Sequence, residues 1–181
     1  MNMKNIWNSA AIGGLALGLT STVYMFVTQL LGTSQMPTFL NMLLSFILWG
    51  VKFGGCIWLM TFFMKKFVKD NEGADNQSVF RMGLLTALLS AVVYAAASFF
   101  NAAYISADLF AEQYAQMMQQ MAPMMDSNSK TLVEDMLGNM PQITFFSNLI
   151  YCFLYGTVLS AILSRNIPSK DPFADYKPDQ Q

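Results

Sequence analysis

Lys52 is the one charged side chain deep inside a long apolar run of this 181-residue chain. An ammonium in that setting could hold an anion or substrate, carry a proton-linked step, or serve structure by snorkelling outward. A lysine near the middle of a bilayer costs roughly 2.5–3.5 kcal/mol on insertion scales, so it needs partners. No Asp or Glu lies in any of the apolar runs, which excludes an intramembrane ion pair. The polar residues expected at the same depth are Gln29, Asn101, Ser147 and Asn148, with Trp49 or Phe53 beside the lysine stem. Lys52, Gln29, Asn101 and Asn148 therefore form the candidate functional cluster.

A second group that could do chemistry is sulfur. Met117, Met118, Met121, Met124 and Met125 crowd a polar segment, and Met140 follows. Thioethers suit soft Cu(I), yet methionines at helical spacing more often form an adaptable packing or partner surface. With no His or Cys among them, no metal and no cofactor is expected. Cys56 and Cys152 both lie in apolar runs and are read as small packing residues. Histidine is absent, which removes His-based triads and imidazole proton shuttles. No paired acids or nucleophile–base constellation lies in the runs, so no enzyme is expected.

The elements that must position these residues follow from composition. The chain is 54% hydrophobic and 12% charged, with a mean hydropathy of +0.38. Soluble domains carry roughly 25% charged residues. The deficit points to lipid, and the net charge of −1 gives no pull towards nucleic acid. A membrane helix needs about 20 mainly apolar residues. Four runs qualify: 10–31, 37–64, 79–105 and 143–163. The expectation is an all-α integral membrane four-helix bundle over 1–167, with a polar, disordered tail over 168–181. The first run outlasts the apolar core of a secretory signal and is read as retained.

Basic residues orient the bundle. Lys4, Lys65, Lys66, Lys69, Arg81, Arg165, Lys170 and Lys177 fall on one side, and only Lys130 on the other. The positive-inside rule then makes both termini cytoplasmic. The 106–142 loop is acidic and faces outward. It should hold an amphipathic helix over 107–121, ended by Pro123, and a second over 132–137, with Thr131 and Glu134 as capping box and Gly138 as stop. Counted back from Met64, Lys52 is about 18 Å from the cytoplasmic end, in the outer half. Trp7, Trp49, Trp58, Tyr104 and Tyr151 are candidate interfacial anchors, and Ser78 a cap for the third span. The basic exit of the second span suits anionic headgroups, and Asp171–Phe173 could be a short partner motif.

Small residues recur every fourth position: Ala10, Gly14, Gly18 and Thr22; Gly50 and Gly54; Gly83, Ala87, Ala91 and Ala95; Asn148, Cys152, Gly156, Ser160 and Ser164. Four-residue spacing keeps each set near one helix face, where backbones can approach closely. Gly14, Gly18, Gly50, Gly54, Gly83, Ala87, Gly156 and Ser160 are thus the expected helix-packing positions. On a helical wheel Lys52 falls opposite the Gly50/Gly54 face.

This layout resembles the domain of unknown function 4199 family, small four-span bacterial inner-membrane proteins. The segments that carry the resemblance are Lys65–Lys66 through Ser78-Val-Phe-Arg-Met-Gly83, and Gly156-Thr-Val-Leu-Ser-Ala-Ile-Leu-Ser-Arg165. The resemblance implies a multi-pass inner-membrane location and the four-span fold, and supplies no catalytic residues. The leading functional expectation is a non-enzymatic packing subunit of a membrane assembly, as a homo-oligomer or within a larger complex. The alternative is a small oligomeric transporter or channel subunit that uses Lys52 as an anion or substrate contact.

Overall fold

A computed structural model of the chain describes residues 3–32, 37–71, 74–121 and 126–167. The turn around Gly32–Met36, Gly73, Pro123, Met124, Met125 and the 168–181 tail lie wholly or mostly outside those residues, as do the side chains of Tyr114, Met117, Met121 and Glu134.

Among the described residues, four helices are long and apolar enough to cross a membrane. They are α1 (Met3–Gly32), α2 (Thr38–Asp70), α3 (Asn76–Phe100) and, later in the chain, α6 (Met140–Asn166). Between α3 and α6 run a π-helical turn (Asn101–Ile105), α4 (Ala107–Met121) and α5 (Ser127–Gly138). Lipid offers no hydrogen bonds, so a spanning backbone must pair with itself, and helices do so completely. The hydroxyls in the spans follow the same rule. Thr20, Thr22, Thr28, Thr61, Ser98 and Thr157 each donate to the carbonyl one turn back. Asp75, rather than Ser78, caps α3: its carboxylate accepts from the Ser78 backbone N–H at 3.0 Å and from the Ser78 hydroxyl. A carboxylate matches the positive end of a helix, and these bonds hold the Asp75 carboxyl below its ordinary range.

α3 is the centre of the bundle, flanked by α1 and α6. Glycine makes both approaches possible. A methyl on Gly14 would stand 2.6 Å from Leu89 Cβ, and one on Gly18 would stand 2.7 Å from Val93 Cβ. On the other flank a methyl on Gly156 would meet Ala87 Cβ at 2.5 Å, and one on Gly83 would collide with Ser160. The Ser160 hydroxyl also crosses to the Phe80 carbonyl at 3.1 Å. Close backbones and an interhelical hydrogen bond are what hold helices together in lipid.

α2 joins differently. Its C-terminal half supplies Met60, Met64, Phe67 and Val68 to a core with Ile6, Leu17, Val79, Met82 and Ile167. That core closes the end of the bundle that carries Met3, Asp70, Asn76 and Asn166. Its N-terminal half stands away, with Phe39, Met42, Phe46 and Val51 all exposed. A methyl on Gly50 or Gly54 would meet nothing within 4 Å among the described residues, which differs from the helix-packing role expected of them. The bundle is therefore most closely packed at its terminal end.

Candidate functional site: the Lys52 cavity

Lys52 turns inward. It sits about 21 Å from the Thr38 end of α2 and about 27 Å from the Asp70 end, at 1.5 Å per residue. Its Nζ lies 4.8 Å from the Tyr24 ring centroid on α1 and 5.4 Å from that of Tyr94 on α3. Both are within the range in which a ring face attracts a cation. The lysine thus bridges three helices and does not snorkel to the bundle edge.

The amides expected beside it are engaged elsewhere. Asn101 Nδ2 donates to Gln29 Oε1 at 2.9 Å, Gln29 Nε2 donates to the Ser106 hydroxyl, and that hydroxyl donates to Asn101 Oδ1 at 3.0 Å. This closed ring ties α1 to the end of α3. Ser106 joins it because the π-turn carries the backbone one residue further per turn, and its N–H reaches the Asn101 carbonyl at 2.8 Å. Asn148 faces the same region from α6, lining a cavity of about 290 Å³ with Gln29, Asn101, Tyr94, Ser98 and Phe110. Ser147 is exposed. Gln29, Asn101 and Asn148 are brought together, and Lys52 is not among them. Tyr94 is the only described residue that both lines this cavity and touches the lysine.

Lys52 lines its own cavity of about 70 Å³, to which all four spans contribute: Leu17 and Ser21 from α1, Phe53, Cys56 and Met60 from α2, Ala87 and Ser90 from α3, and Tyr151, Cys152, Tyr155, Gly156 and Leu159 from α6. Its mouth is banded by rings. Trp49 stacks obliquely on Phe53 at 4.6 Å, and Phe53 meets Tyr155 edge-on at 5.4 Å across the α2–α6 seam. Ser21 Oγ lies 3.9 Å from Cys56 Sγ. A site of this volume has room for a few water molecules or one small charged head.

The ammonium carries three N–H donors, and among the described residues none has a hydrogen-bond or ion-pair partner. Ring faces offset charge, but they do not replace three lone-pair acceptors. An acceptor arriving from outside the chain would meet these donors. Tyr24 and Tyr94 take the place that the sequence offers to amides, because ring faces have no pairing pattern in sequence. Tyr24 and Tyr94 stand at the depth of Lys52 on their helices, and that coincidence was the available signal.

A helical bundle with four membrane-competent spans and a cationic cavity between them defines a multi-pass α-helical membrane protein. The family model described as "Protein of unknown function (DUF4199)" matches residues 10–165, and the chain belongs to that family. No curated protein and no solved structure matches it.

Proposed function

We propose that this chain is a non-enzymatic membrane protein that holds an anion with Lys52, in a cavity between its four spans. The observation that carries the reading is an inward-facing ammonium with two ring contacts and space beside it. The solid core of Met64, Phe67, Val79 and Met82 beneath the cavity favours holding over conducting by a single chain. Lys65, Lys66, Lys69, Arg81 and Arg165, gathered at the terminal end, support cytoplasmic termini in a cell inner membrane.

The chain's only two cysteines line this cavity and provide the test. In phosphatidylcholine nanodiscs, octanoate or inorganic phosphate should slow maleimide labelling of Cys56 and Cys152 in the natural chain, and not in Lys52→Met. Labelling that no anion slows, or that slows equally in Lys52→Met, removes the reading.

A second reading, a packing subunit of a homo-oligomer or larger assembly, is favoured by the bare Gly50/Gly54 face. Its test is Gly50→Cys crosslinking in native membranes. Recovery of neither a dimer nor a repeatable partner removes it.

A further inference from the structure

The shape and charge of the Lys52 cavity narrow what the anion can be. A single ammonium balances a single negative charge. Among the described residues lining the cavity, Lys52 is the only cation. A dianionic phosphate monoester would leave uncompensated charge at a depth where such charge is expensive. A phosphodiester has the right charge but brings two substituents to the site, where a carboxylate brings one. A carboxylate fits both limits.

What surrounds the lysine is mainly apolar: Leu17, Phe53, Met60, Ala87 and Leu159, relieved by the hydroxyls of Ser21 and Ser90. Towards α4 stand Tyr94 and the closed ring of Gln29, Asn101 and Ser106; between α2 and α6 stands the Phe53–Tyr155 ring contact. α2 and α6 touch sparsely, and the N-terminal half of α2 stands off the bundle. Tyr151 lines the cavity and is also 60% exposed on the outer surface. One wall of the site is therefore in contact with the bilayer.

We infer that the ligand is a single-chain fatty acid drawn laterally from the membrane. Its carboxylate pairs with Lys52, and its hydrocarbon chain leaves between α2 and α6, beside Trp49 and Tyr151. The inference rests on the anion reading above and adds the ligand's class and its route. Apolar chain and charged head are both accounted for: lipid solvates the one, and the ammonium supplies donors to the other. The aromatic row of Trp49, Phe53 and Tyr155 marks the edge past which the chain bends out.

The experiment uses the full chain in phosphatidylcholine nanodiscs and equilibrium binding of radiolabelled palmitate. Competitors are hexadecanol, which has the chain without the charge, and acetate and inorganic phosphate, which have charge without the chain. Palmitate should bind saturably, with each competitor weaker by at least about tenfold, which corresponds to 1.4 kcal/mol. Lys52→Met should lose binding by a similar factor, and Lys52→Arg should retain it. Cys152→Trp, which fills the cavity, should exclude palmitate, and the exposed-surface variant Lys65→Met should bind it normally. If acetate or phosphate competes as well as palmitate, through Lys52, the anion reading stands and the fatty-acid inference falls. If hexadecanol matches palmitate and Lys52→Met binds both, the site is an apolar groove and both fail. If no probe binds in a Lys52-dependent way, both fail likewise.

Discussion

Gly14 and Gly54 have the same residue type and the same four-residue spacing motif, yet substitution should affect them in opposite ways. An alanine methyl at Gly14 would lie 2.6 Å from Leu89 Cβ and 3.2 Å from both the Ser90 nitrogen and the Thr86 carbonyl oxygen. None of these atoms can swing aside, because two are backbone and the third is one bond from it. α1 and α3 must therefore separate by several tenths of an ångström along their whole seam. Overpacking of this kind costs about 1–3 kcal/mol, and the helix advantage of alanine returns up to about 1. Gly14→Ala should lose about 1–2 kcal/mol. At Gly54 the same methyl meets nothing within 4 Å, so only the helix term acts. Gly54→Ala should be neutral or gain up to about 1 kcal/mol. The assay is reversible unfolding in mixed dodecylsulfate and maltoside micelles, followed by far-ultraviolet circular dichroism, with both variants measured against the natural chain. Gly14→Ala proving as stable as Gly54→Ala would refute the assignment of the α1–α3 seam. Gly54→Ala proving destabilising would mean that this face of α2 is covered after all, by a second chain.

Further outcomes follow from other contacts. Asn101→Leu removes two bonds of the ring it forms with Gln29 and Ser106; unfolding should register about 1–3 kcal/mol lost, and hydrogen exchange should rise over 101–105. Asp75→Ala removes the α3 cap and should cost about 1 kcal/mol near neutral pH. The Asp75 carboxyl is held low by Ser78, so its contribution is full above the ordinary carboxylate range and lost as pH falls through its depressed folded value. The stability gap between Asp75→Ala and the natural chain should therefore narrow only on acidification below about pH 4, the reference value. Lys52→Met removes a charge costing about 3 kcal/mol along with two ring contacts worth about 1 kcal/mol each. It should leave the bundle as stable or slightly more so, measured by the same unfolding assay, which a structural lysine would not do.

Much of the bundle was legible because lipid imposes simple rules. Runs of 20 or more apolar residues had to be helices, and four such helices are found among the described residues. Gly14, Gly18, Gly83 and Gly156 stand at contact spacing, and each faces an atom closer than a side chain would allow. Spacing reports a helix face and nothing about what covers it, which is why Gly50 and Gly54 read identically and meet no neighbour. The Lys52 site was half legible. Its depth and its lack of an acidic partner came from counting residues. Its true neighbours did not, because ring faces have no pairing pattern in sequence. Ser106 was assigned to the loop; a π-turn, which widens the helix by one residue, draws it into the ring with Gln29 and Asn101. Asp75 took the cap expected of Ser78 because a carboxylate one turn earlier can accept from both the Ser78 N–H and hydroxyl.

The most direct measurement of the central claim is the contact itself. Magic-angle-spinning NMR can recouple lysine ¹⁵Nζ to carboxyl-¹³C palmitate in phosphatidylcholine nanodiscs, with Lys52→Arg identifying the resonance. An ammonium paired with the carboxylate, with N···O within about 4 Å, should show strong dephasing of the Lys52 signal that saturates at one palmitate per chain. A Lys52 signal that neither shifts nor dephases, while palmitate partitions freely into the bilayer, would contradict it.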